Sequence, residues 1–150
     1  MDIFDRAEIA RRIPHHGTMC LLERVVAVDA EAIVCIATSH RSMLNPLRSD
    51  GRLSAVHAIE YAAQAMALHR SFAVESAEPA PRGMLTAVRD VTCHVDRLDD
   101  VGADITVTAT RLAGDGGGVL YRFVVSDATR DLVVGRASAV LDVAPGSATP

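Results

Sequence analysis

The stretch VHAIEYAAQAMALH at residues 56–69 is apolar on nearly every side of a helix. A helix of that kind is surrounded by protein rather than laid on a surface. Only His57, Glu60 and Gln64 interrupt it, all near its start. Ser54 is a good N-cap, which predicts a helix from about Ser54 to Ser71 or a little beyond. A chain that must enclose one helix on all sides needs an element that wraps.

The rest of the chain supplies strands. TMCLLERVVAVD (18–29) and AIVCIATSH (32–40) are rich in β-branched residues and are separated by DAE, a plausible turn. After the helix come MLTAVRDVTCHV (84–95), ADITVTATRLA (103–113), VLYRFVVSD (119–127) and DLVVGRASAVLDV (131–143). In the second of these, Ile105, Val107 and Ala109 alternate onto one face. GDGGG (114–118) reads as a hairpin turn, since it lacks the GK[ST] ending of a phosphate loop. RSMLNPLRSDGRL and ESAEPAPRG (75–83) are loops, and residues 3–12 read as a short amphipathic helix stopped by Pro14. The order is helix, two strands, one long helix, then four strands. That is an α+β layout of short antiparallel connections. A sheet wrapped around a single central helix is the hot-dog fold, and pairing of two sheets edge to edge into a dimer would cover an exposed strand. The reading is one domain over residues 1–143 with a disordered tail, APGSATP, over 144–150.

Composition excludes several functions. The 150 residues are 49% hydrophobic with a net charge of -4, which disfavours attraction to nucleic acid or an anionic membrane. All 15 basic residues are Arg. Cys20, Cys35 and Cys93 have no C-x-x-C spacing and read as reduced, buried thiols. The N-terminus has no signal-peptide core, and no apolar run reaches a membrane span, so a soluble cytoplasmic protein is expected. The histidines lack H-x-x-x-H or H-E-x-x-H spacing, so no metal is expected.

Three stretches carry a resemblance. IPHHGTMCLLERVVAVD (13–29) is similar to the N-terminal L-P-H-x-x-P-F-L-L-V-D-R-V pattern of FabZ-type 3-hydroxyacyl-[acyl-carrier-protein] dehydratases. AVHAIEYAAQAMA (55–67) resembles their G-V-L-x-x-E-A-x-A-Q helix, with Glu60 and Gln64 on the matching positions. RGMLTAVRDVTCHVDRLDDVGADITV (82–107) is similar to their later strand pair. Together they span about residues 10–143. The E-Y-x-A-Q-A wording of the helix resembles most the divergent ApeP-like dehydratases of aryl-polyene gene clusters. One position departs: fourteen residues before Glu60, where FabZ-type enzymes place a histidine, stands Pro46.

The resemblance implies dehydration of a 3-hydroxyacyl thioester carried on the phosphopantetheine of acyl carrier protein or on CoA, with no other cofactor. That reaction needs a base at the carbon beside the thioester and an acid for the leaving hydroxyl. Glu60 is the expected acid, and His40 or His57 the expected base. Gln64, Arg48, Arg52 and Gly83 are expected on the substrate-binding side, with the arginines forming a rim for an acidic carrier or a pantetheine phosphate. His15 reads as structural, pinning a loop, and His16, His69 and His94 as surface or packing groups. Two alternatives stay open. One is a hot-dog thioesterase, in which Glu60 alone would suffice. The other is a non-catalytic subunit pairing with an active dehydratase, as a second hot-dog chain in place of a homodimer.

Overall fold

The computed structural model describes residues 3–73, 83–114 and 117–141. The loop expected at 75–83 (apart from Gly83), the centre of GDGGG and the C-terminal tail lie outside the described residues.

Helix α1 (Arg6–Arg12) is capped by Asp5, whose side chain accepts from the Glu8 amide. Strands β1 (Arg24–Val28) and β2 (Ala32–Ala37) form the first hairpin. Helix α2 (Ala58–Ala73) follows, and then β3 (Gly83–Cys93), β4 (Ile105–Gly114), β5 (Gly118–Ser126) and β6 (Asp131–Leu141). All pair antiparallel in one six-stranded sheet of order β1-β2-β4-β5-β6-β3. The sheet curls over α2, which packs chiefly on β4, β2 and β5. Among the described residues no helix is long and apolar enough to cross a membrane.

The alternation seen in the sequence becomes the inner face of the sheet. Ile105, Val107 and Ala109 of β4 are fully buried, as are Tyr121, Phe123 and Val125 of β5. They meet Ala58, Tyr61, Ala62, Ala65 and Leu68 of α2. Alanine favours the helix and leaves little side chain between helix and sheet, so the two layers come close.

Three expectations need correction. The segment 18–29 is strand only from Arg24, because Gly17–Met19 forms a 3-10 turn. Residue 40 is not at a strand end: β2 stops at Ala37, and Ser39–Arg41 is a further 3-10 turn. Cys20 and Cys35 are buried, but Cys93 is exposed, at the end of β3 where the inward alternation has been broken by a bulge between Arg89 and Thr92. Asp90 in that bulge takes φ 54 and its carboxylate meets the Arg136 guanidinium on β6.

The start of α2 is fixed from outside. Ser54 caps the turn Ala55–His57 that leads into the helix, its hydroxyl accepting from the Val56 amide. The preceding residues are stitched to the loop after β3. The Leu98 amide donates to the Leu53 carbonyl at 2.8 Å and the Ala55 amide to the Asp96 carbonyl at 3.0 Å. Asp99 accepts from the Leu53 amide at 2.9 Å. The Arg97 guanidinium beside it, helped by that amide, holds the Asp99 carboxyl far below the usual carboxylate range.

Candidate active site

The polar residues near the start of α2 separate into two kinds. Gln64 is fully buried, and its amide is used up. Its Oε1 accepts from the Leu21 amide at 2.9 Å, and its Nε2 donates to the Met19 carbonyl at 2.7 Å. Gln64 therefore holds the Gly17–Leu21 turn onto the helix, and its substrate-binding reading meets a side chain already committed to backbone.

Glu60 is different. It is half-buried in the first turn of α2. Ala63, Ala67 and Arg70 continue the same half-exposed stripe at i+3, i+7 and i+10. Among the described residues nothing hydrogen-bonds or ion-pairs with its carboxylate. The helix N-terminus favours negative charge there. His57 lies on the turn just before, also half-buried and with no ring partner among the described residues.

His40 is fully buried. Its Nε2 stands 3.1 Å from the Val101 carbonyl and 2.9 Å from the Ala103 carbonyl, and must carry the proton that both accept. Its Nδ1 is buried with no partner. Burial pushes its pKa down, with the carbonyl contacts opposing. Those contacts tie the turn after β2 to the 101–103 loop, which gives His40 a packing role instead of the expected base role.

Arg48 is likewise turned inward. Its guanidinium donates to the carbonyls of Ser42 at 2.8 Å, Gly51 at 3.0 Å and His40 at 3.3 Å. It ties off the 40–51 loop, which removes it from the expected basic rim. Arg52 is exposed. Gly83 opens β3 opposite Leu141.

Two groups escaped the sequence reading. The first is a buried cluster in that loop. Asn45 Nδ2 donates to the Ser39 carbonyl at 3.0 Å and to the Tyr61 hydroxyl at 3.1 Å, and that hydroxyl lies 2.7 Å from the Ser39 hydroxyl. Asn45 is the neighbour of Pro46, where the resemblance would place a histidine. A buried, fully used amide fills that corner. Only the polarity of Tyr61 beside Glu60 hinted at it.

The second is His15. It is half-buried and its Nδ1 is buried without a partner. Burial lowers its pKa, and the Glu60 carboxylate is the strongest charge opposing that, with His16 lowering it further. His15 and Glu60 therefore stand within each other's field. The pattern P-H at 14–15 was a signal for it, read as structural because nothing local in the sequence joins residue 15 to residue 60. A neutral imidazole with a free nitrogen can take a proton, and a carboxyl can give one.

Among the described residues no three His, Cys, Asp or Glu side chains converge on a metal position.

The chain is similar to several known structures. A family model described as ApeP-like, ApeP dehydratase, matches residues 7–145. The dehydratase heterocomplex ApeI:P from Xenorhabdus doucetiae contains a chain 29% identical, with 91% of each chain covered and a TM-score of 0.77. Zebra fish thioesterase superfamily member 2 is 15% identical over 91% of this chain and 94% of its own, with a TM-score of 0.64. A mutant thioesterase from Pseudomonas aeruginosa is 14% identical over 80% of this chain and 81% of its own, with a TM-score of 0.56. These last two share the hot-dog fold with it. A comparison with curated proteins gives no match.

Proposed function

Because this chain belongs to the ApeP-like dehydratase family, we propose that it takes part in the dehydration of 3-hydroxyacyl thioesters carried on acyl carrier protein or CoA, with Glu60 as its acid. One observation carries this. Glu60 is the carboxylate of the central helix that the fold leaves without a partner, while Gln64 beside it is spent on backbone. His15 is the base in this reading, since the Glu60 carboxylate acts on it and its Nδ1 has no partner among the described residues. In that reading His15 takes the proton from the carbon beside the thioester, and Glu60 protonates the departing hydroxyl.

A second reading has its own support. The position of the loop histidine is filled by Pro46 and the buried Asn45, and the outer edge of β3 has no strand beside it among the described residues. The relative from Xenorhabdus doucetiae is part of a dehydratase heterocomplex. A second hot-dog subunit aligned on β3 would cover that edge and could bring the base that the loop lacks. The chain would then contribute Glu60 to a shared centre.

Hydration of a crotonyl thioester, the reverse reaction, separates the readings. The full chain is assayed alone and mixed with a hot-dog dehydratase subunit from the same gene neighbourhood. Activity alone that falls with Glu60→Gln and with His15→Gln supports the first. Activity only in the mixture that still falls with Glu60→Gln supports the second. Release of free thiol without hydration points to the thioesterase. Activity indifferent to Glu60→Gln in every arrangement removes Glu60 from the chemistry.

A further inference from the structure

A cavity of about 650 Å³ lies at the opposite end of α2, some ten residues from Glu60. At 1.5 Å per residue that is about 15 Å along the helix. One side is apolar, from Val28, Ala30 and Phe72; the other carries the guanidinium-bearing side chains Arg70 and Arg111.

The wall behind them is built from a polar pair that the proposed dehydration does not use. His69 Nε2 lies 2.8 Å from the Asp29 carbonyl and must donate to it. Its Nδ1 is then left as an acceptor, and the Tyr121 hydroxyl, 2.5 Å away, donates into it. Both rings are buried and meet edge to face, with centroids 5.5 Å apart. They fix the β1–β2 turn, the helix end and β5 in one geometry. The wall is therefore formed in advance.

The charge balance of the cavity favours an anion. Asp29, the one carboxylate among its described lining residues, is turned into its own loop, where it accepts from the Glu31 and Ala32 amides at 2.8 Å each. Arg111 has no ion pair among the described residues. Its guanidinium lies over Gly114, where an added Cβ would stand 2.7 Å from Nη2. A side chain at 114 would displace it. The C-terminal end of a helix repels an anion on its own, so the Arg111 guanidinium is what makes the end hospitable to one.

We propose that this cavity binds a small amphiphilic carboxylate, a carboxylate head on a short apolar body, at a site separate from the Glu60 centre. The head meets the Arg111 side and the body lies on Val28, Ala30 and Phe72. The volume is that of a small-molecule pocket and far exceeds a bare inorganic anion.

The test titrates the isotope-labelled full chain with hexanoate and, separately, with inorganic phosphate, following backbone amides by NMR. Saturable hexanoate shifts at Asp29–Ala32, Arg111 and Tyr121 are expected. The affinity should fall about tenfold in Arg111→Gln, the loss of one charge-assisted contact, and stay unchanged in Glu60→Gln. Gly114→Ala, which crowds the guanidinium without removing it, should weaken binding too, and it decides the matter if Arg111→Gln does not fold. Four results overturn the proposal: no saturable shift, shifts centred on Glu60, affinity changed less than threefold by either variant at the cavity, or phosphate binding as tightly as hexanoate. The last would mark a generic anion site.

Discussion

The two ends of α2 are built from similar residue types and end in opposite states. At the C-terminal end, His69 and Tyr121 satisfy each other and a backbone carbonyl, and the ring nitrogens have no capacity left. At the N-terminal end, Gln64 is just as fully committed, but among the described residues Glu60, one turn away, has no hydrogen-bond or ion-pair partner and His15 keeps a buried nitrogen unpaired. A buried polar group without a partner costs of the order of 1–3 kcal/mol. A fold that satisfies His69, Gln64 and Arg48 so thoroughly has the means to satisfy Glu60 and His15. The two ends of the helix therefore differ in how far the polar side chains around them are satisfied.

The largest test of this contrast is chemical. Glu60→Gln should reduce crotonyl-thioester hydration by about a hundredfold or more, the usual scale for losing a general acid. Its unfolding free energy should move by no more than about 0.5 kcal/mol, as for a side chain without native partners. A urea melt that shows a large loss would mean that Glu60 holds the fold together. Next in size is Gln64→Leu, which strands the Leu21 amide and the Met19 carbonyl in the interior. It should lower stability by about 2–4 kcal/mol. An unchanged melt would place those groups in water and dissolve the contrast.

Tyr121→Phe removes one hydrogen bond and no volume to speak of. A loss of about 1 kcal/mol is expected, with hydration activity intact. Activity lost in step with Glu60→Gln would join the two ends into one site. The smallest effect is in pH. Burial lowers the pKa of His40 and of His15 below 6.5. The folded chain therefore binds fewer protons than the unfolded chain just below that pH. Their share of stability is whole above about 6.5 and is lost as pH falls below it. Calorimetric melting temperatures at pH 7.5 and 5.5 should show the drop. The drop should be shallower in His40→Gln, whatever that variant does to stability at pH 7.5. An equal slope would mean that another group titrates.

Much of this was legible before any coordinates. An all-round apolar helix bounded by Ser54, followed by period-2 runs, is a local signal, and local signals survive into the fold. The strand of 84–95 was read to within two residues, and so was the hairpin before Asp131. The site was legible only in part. Glu60 stood out because a carboxylate on an apolar helix is conspicuous. Arg48 and His40 misled because their partners are backbone carbonyls, and carbonyls have no letter in a sequence. The nearness of His15 to Glu60 is not legible, because 45 positions separate them along the chain. The turn Gly17–Met19 was read as strand because its Thr18 and Met19 have β-compatible side chains, while Gly17 takes φ 58.

The strand order carries a consequence for how the chain is made. Strand β3 emerges directly after the helix, yet among the described residues it pairs only with β6. Every other strand meets a neighbour within one connection. At synthesis rates of 5–20 residues per second, the 48 residues between Cys93 and Leu141 take roughly 2–10 s. For that time β3 has both edges unpaired while the β4–β5 hairpin can already close. The outermost strand is therefore the last to be enclosed. Its bulge at Asp90 breaks the flat run that another nascent chain could pair with.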